Sequence, residues 1–149
     1  ITGGARIEPA GGPRIARLAV AQSHAGGRVA LTVSVHTEDA EGAPFAVAFA
    51  GQGVGGLVED GGVAVAFDVE NPALWWPAGL GPQTLHDLEV RVGDHVERRR
   101  IGLRAVELVT GRDEAGLSFG FRVNGHPVFA RGANWIPADA LAGRITEEK

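Results

Sequence analysis

Asn134, Trp135 and Asp139 are the residues of this chain best suited to hold a polar ligand. They close the run Val128-Phe129-Ala130-Arg131-Gly132-Ala133-Asn134-Trp135-Ile136-Pro137-Ala138-Asp139, which reads as a β-strand ending in Asn-Trp-x-Pro-x-Asp. An amide and a carboxylate bind hydroxyl groups, and an indole supplies an apolar wall. In a (β/α)8 barrel the carboxyl end of a strand faces the active site. Short polar side chains also pin loops by bonding to backbone, and a Trp also packs a barrel mouth. Pocket wall and loop support are therefore both open for these three residues.

Other motifs promise less. Gly51-Gln52-Gly53-Val54-Gly55-Gly56 fits G-x-G-x-x-G, but a dinucleotide fold needs a helix directly after it to receive the pyrophosphate. Leu57-Val58-Glu59-Asp60-Gly61-Gly62 follows instead, so the motif reads as a turn between strands. The histidines His24, His36, His86, His95 and His126 show no helical ligand spacing, and neither a metal nor a cofactor is expected. There is no cysteine, which excludes disulfides and thiolate sites and leaves the compartment open, with cytoplasmic favoured. A net charge of −4 argues against a nucleic-acid partner. The basic run Arg98-Arg99-Arg100 alternates faces on a strand and reads as a solvated edge. No apolar run approaches the ~18 residues of a membrane span.

The elements that position these residues are strands. Period-two alternation runs through Val29–Val35, Phe45–Phe49, Val63–Val69 and Leu88–Val92, with shorter candidates at Arg14–Ala21, Val54–Val58 and His95–Leu103. About seven strands separated by glycine-rich turns are the mark of a sandwich. The turns are predicted at Ala25-Gly26-Gly27, Asp39 to Gly42, Gly51 to Gly53, Asp60-Gly61-Gly62 and Gly93-Asp94. Val96 and Ile101 fall on opposite parities, which predicts a bulge between them. Beyond a loop at Gly111–Gly116, Leu117–Val123 and His126–Ala130 flank Asn124-Gly125, the preferred pair for a type I′ hairpin.

Three segments carry a family resemblance. They are Glu70-Asn71-Pro72-Ala73-Leu74-Trp75-Trp76-Pro77-Ala78-Gly79-Leu80-Gly81, then Ile101-Gly102-Leu103-Arg104 with Val106-Glu107-Leu108, and then Phe121-Arg122-Val123-Asn124-Gly125-His126-Pro127-Val128-Phe129 running on to Asp139. In order and spacing they resemble glycoside hydrolase family 2, and the double Trp and the Asn-Trp-Ile-Pro-Ala-Asp ending are most similar to its β-mannosidases. The resemblance implies an all-β immunoglobulin-like sandwich at 12–109. A linker from a missing N-terminal domain precedes it at 1–11, and a hairpin with the first strand of a truncated catalytic barrel follows at 110–149. With Ile1 first and no Met, the chain is expected to be a fragment.

The implied parent is a retaining exo-glycosidase acting on terminal β-D-mannose, with a β-mannoside or oligosaccharide as substrate and no membrane partner. Its nucleophile and acid/base are glutamates from later barrel strands, so no catalytic residue is expected here. Glu107, Asp113, Glu114 and Asp139 fit neither role, and Asn134, Trp135 and Asp139 are the substrate-binding candidates. The sandwich is expected to brace the barrel through contacts with the missing domains. Trp75-Trp76 reads as packing at the sandwich end or against a neighbouring domain, with sugar stacking as the other reading. The alternatives are a β-galactosidase or β-glucuronidase of the same family, or a free-standing immunoglobulin-like binding or adhesion module.

Overall fold

The computed structural model describes residues 11–136, 138–139 and 144–145. Gly11–Phe129 form one compact unit, and the described residues from Ala130 onward belong to a second. The linker expected at 1–11 lies outside the described residues, save Gly11. The described residues contain strands and turns and no α-helix.

Seven strands build the larger part of the first unit: β1 (Arg14–Ala25), β2 (Arg28–Glu38), β3 (Pro44–Phe49), β4 (Gln52–Leu57), β5 (Gly62–Glu70), β6 (His86–Val92) and β7 (His95–Ile101). They form two antiparallel sheets of order β1-β2-β5 and β4-β3-β6-β7. Alternation decides which side chains go inside. Val29, Leu31, Val33 and Val35 of β2 are buried, as are Val47 and Phe49 of β3, Val65 and Phe67 of β5, and Leu88, Val90 and Val92 of β6. These residues form one core shared by the two sheets. Phe49 and Phe67 come from opposite sheets, and their ring centroids lie 5.9 Å apart.

The tight turns follow the chemistry of positive φ. Gly26-Gly27 joins β1 to β2, and Asp60-Gly61 leads into β5. The turn after β3 is Ala50-Gly51, not Gly51–Gly53, because Phe49 pairs with Gln52 and draws Gly53 into β4. Ala50 there takes φ 49°, which a Cβ disfavours. The bulge expected in β7 is absent, since β6 and β7 pair without a register shift; the one shift along β1 and β2 lies between Ile15 and Arg17. The parity conflict has another cause. Residues directly opposite share a face, and His95, Glu97 and Arg99 stand opposite the buried Val92, Val90 and Leu88. The core-side face of β7 is therefore polar up to Ile101, which packs against the core, and Val96 points the other way.

A smaller sheet completes the unit. Its strands are β8 (Val106–Val109), β11 (Gly120–Val123) and β12 (His126–Val128), in the order β12-β11-β8. Between them β9 (Arg112–Asp113) and β10 (Gly116–Leu117) make a short hairpin. The predicted strand Leu117–Val123 is thus broken at Ser118-Phe119. The smaller sheet also spans position 109, because β8 bonds to β11 on the far side of that residue. Asn124-Gly125 forms the expected two-residue turn, with φ of 52° and 79°.

Ala50→Gly tests the strain. Relieving a left-handed Ala is expected to stabilise the chain by about 1 kcal/mol, less the entropic cost of the added glycine. Chemical denaturation measures it, and a fall in stability would contradict the turn assignment.

Candidate functional site

The three segments singled out in the sequence meet at one place. Asn124, at the first turn position of the β11–β12 hairpin, is half-buried and its backbone and side chain make three hydrogen bonds there. Its Oδ1 accepts the Ala105 N–H at 3.0 Å, its own N–H donates to the Ala105 carbonyl at 2.9 Å, and its Nδ2 donates to the Trp75 carbonyl at 3.0 Å. Asn tolerates the left-handed backbone of this position and carries both a donor and an acceptor, a combination few residues offer.

Trp75 is held from several sides. Its N–H donates to the Leu103 carbonyl at 2.9 Å. The Arg104 guanidinium carbon lies 4.5 Å from the centroid of a Trp75 ring, a cation–π contact. Gly102 packs directly on the indole, since a Cβ there would stand 3.0 Å from Trp75 Cβ and Cγ. Gln22 of β1 fastens the same connector. Its Nε2 donates to the Gly102 carbonyl and its Oε1 accepts the Arg104 N–H, each at 3.1 Å. Trp76 sits edge-on to His126, centroids 5.2 Å apart, and packs against Gly81. Both tryptophans are half-buried. These contacts favour packing over sugar stacking for the pair.

His24 lies beside this network, and its Nε2–H donates to Gln22 Oε1 at 3.1 Å. Partial burial lowers its pKa below the ordinary 6.5, and a hydrogen bond to the Arg104 backbone opposes that shift. A cleft of about 560 Å3 opens next to it, with Asn71, Leu74, Glu107 and Asn124 in its wall.

The substrate-binding candidates belong to the second unit. Asn134 and Trp135 are exposed, Trp135 at 84%, and Asp139 is partly buried. The strand expected to carry them does not form: Phe129–Ile136 has no regular structure, and pairing stops at Val128. A strand needs a neighbour to bond to, and none of the described residues provides one. Asp113 is a turn residue whose Oδ1 accepts the N–H groups of Ala115 and Gly116 at 2.9 and 3.0 Å, and Glu107 and Glu114 are exposed. Among the described residues no cluster of His, Asp or Glu is arranged to hold a metal, and no helix is long and apolar enough to cross a membrane.

Sequence reasoning missed the side-chain role of Asn124 and the Gln22 clamp. Asn124 was legible only as a turn former. Gln22 gave no signal, because its partners lie some eighty positions away.

Known proteins share this architecture. Residues 14–104 match the sequence profile described as glycosyl hydrolases family 2. Beta-mannosidase B of Emericella nidulans is 37% identical over 141 residues, covering 87% of this chain and 17% of its own length. The Aspergillus clavatus protein of the same name is 36% identical with the same coverage. The chain thus spans 17% of the length of these relatives. Among solved structures, the beta-D-mannosidase of Dictyoglomus thermophilum superposes with a TM-score of 0.75 at 34% identity, over 92% of this chain and 19% of that one. A beta-D-glucuronidase from Dictyoglomus thermophilum reaches 0.57 at 23% identity over 79% of this chain and 19% of its own, a likeness of fold.

Asn124→Ala removes two side-chain hydrogen bonds and leaves a Cβ without polar compensation at positive φ. The expected loss is about 2–3 kcal/mol by chemical denaturation; a loss below about 0.5 kcal/mol would mean that the junction is not held by this side chain.

His24 predicts a pH dependence. With its folded-state pKa lowered, the unfolded chain takes up the proton more readily. Its contribution is complete above 6.5 and is lost as pH falls through the folded-state value. Unfolding free energy measured from about pH 7.5 down to about pH 5 is expected to fall less in His24→Gln than in the unchanged chain; equal slopes would contradict this.

Proposed function

The chain belongs to glycosyl hydrolases family 2, and from that premise we propose that it is part of a retaining exo-β-mannosidase in which it braces the catalytic barrel. The observation that carries this reading is identity of 34–37% to β-mannosidases over most of the chain. The likeness to β-glucuronidases is at 23% identity or less in the solved structures and bears on the fold.

The seven-strand sandwich is an immunoglobulin-like domain. Lettered A to G in chain order, its sheets run A-B-E and D-C-F-G, so the fourth strand lies beside the third rather than beside the fifth as in the constant-type arrangement. The smaller sheet and its hairpin lead from this domain to the barrel. One of its faces carries Val106, Leu108, Phe121, Val123, His126 and Val128; Val123 is buried and His126 packs on Trp76, while Val106 and Leu108 are exposed, Leu108 at 57%, with Phe119 and Phe129 exposed nearby. Apolar surface of this kind suits a domain interface. The Asn124 junction fixes the hairpin on the sandwich.

Retention of configuration needs two carboxyl groups about 5 Å apart. These are glutamates of the barrel, supplied by other parts of the parent. Asn134, Trp135 and Asp139 form part of its substrate pocket, with Asp139 accepting bonds from sugar hydroxyls and Trp135 forming an apolar wall. None of them carries a proton in the reaction.

Two assays test the reading. The isolated chain is expected to leave aryl β-mannoside, β-galactoside and β-glucuronide intact, whereas the full polypeptide that carries it cleaves the β-mannoside. Preference for either other sugar would overturn the substrate assignment. In that polypeptide, Trp135→Ala and Asp139→Asn are expected to lower kcat/KM roughly ten- to a hundred-fold at unchanged melting temperature. A change within a factor of about two, or one that only follows stability, would make them loop supports.

A further inference from the structure

We propose that the seam between β1 and β7 is a docking cleft for an acidic protein segment, whose carboxylates are received by Arg100 and Arg104 beside the Trp75 ring. This inference rests on the charges and geometry of the seam and is independent of the mannosidase reading. The cleft is about 460 Å3, and its lining holds two arginines and no carboxylate. Most other sandwich arginines are neutralised. Arg14 pairs with Glu38, Arg28 with Glu70, Arg91 and Arg98 with Glu89, and Arg99 with Glu97. Arg100 and Arg104 have no ion pair among the described residues, although Asp87 stands opposite Arg100 in the register. On a chain whose net charge is −4, the two unpaired arginines make the seam a local positive patch that attracts a carboxylate.

Arg104 is held ready for a ligand. The Gln22 amide fixes its backbone, the indole of Trp75 supports its guanidinium, and Nη1 leans on the Gly102 carbonyl at 3.4 Å. A guanidinium stacked by its face keeps N–H groups at its edge for a carboxylate, and its prior immobilisation lowers the entropic cost of binding. The surroundings favour a protein segment over a free anion. β1 and β7 are already bridged by the Ile15–His95, Leu18–Arg99 and Gln22–Gly102 hydrogen bonds, so an extended segment lies along the seam and does not insert between the strands. Val20, Ile101 and the 40% exposed Leu85 lie in the same cleft and offer apolar contact between the charges.

The experiment is a titration of the isotope-labelled chain with a short peptide alternating Glu and Leu, with its Lys–Leu counterpart, and with acetate. The signals followed are the Trp75 indole N–H and the Arg104 Nε–H. The acidic peptide alone is expected to give saturable shifts at both. Binding is expected to weaken about tenfold in Arg100→Gln and in Arg104→Gln, and to weaken as salt is raised. If Arg104→Gln melts early, Arg100→Gln carries the comparison, since none of its own contacts holds the junction. No saturable shift, equal binding by the variants, or acetate acting as strongly as the peptide would each overturn the proposal.

Discussion

The hydrogen bonds of Asn124 with Ala105 and Trp75 are the constraint on which the seating of the smaller sheet against the sandwich depends. A three-stranded sheet that leaves Val106 and Leu108 exposed has little reason to hold a fixed place on a sandwich by burial alone. Directional bonds do what burial does not. Each side-chain bond contributes only about 1 kcal/mol net, but breaking one leaves a half-buried amide or carbonyl unpaired, which costs more than the bond gives. Asn124 meets Trp75 from the left-handed turn conformation of a hairpin in which Val123 pairs with His126.

The same economy of position appears at the sandwich edge. β7 directs His95, Glu97 and Arg99 to its core side, and they hold β1 rather than pack with it. The Ile15 N–H donates to His95 Nδ1 at 2.9 Å, and Arg99 donates to the Leu18 carbonyl at 2.9 Å while bonding Glu97. Inward charge on an edge strand discourages further strand pairing. Here it also joins the two sheets along one side, and Gln52 of β4 does the same on the other by donating to the Asp68 carbonyl at 2.8 Å.

Most of the sandwich was legible because its core strands alternate cleanly. β2, β5 and β6 place every large apolar residue on one parity, and the turns between strands, Ala50 apart, use Gly, Asp and Asn where positive φ is needed. The misreadings share a cause. In β7 the core-side face is polar up to Ile101, so hydrophobic parity pointed to a bulge that the register does not contain. At Ala50 the turn used a residue with no turn preference, and the glycines beside it drew the prediction one position on. The β-run expected from Val128 toward Asp139 does not form beyond Val128 because the pattern of residue types does not report whether a neighbour exists to pair with. The three segments of family resemblance were legible one by one. Their convergence on Asn124 was not, because it depends on contacts across 19 and 49 positions of chain.

Amide hydrogen exchange at Ala105 and Asn124 tests this account most directly, because those two N–H groups are themselves bonds of the junction. In the unchanged chain both are expected to exchange as slowly as the amides of β11. In Asn124→Asp the aspartate still accepts the Ala105 N–H but has lost the donor to Trp75. There, β8, β11 and β12 should exchange faster while β2 and β5 stay protected. Fast exchange at Ala105 in the unchanged chain, or an unchanged pattern in the variant, would contradict the claim that this one side chain holds the hairpin to the sandwich.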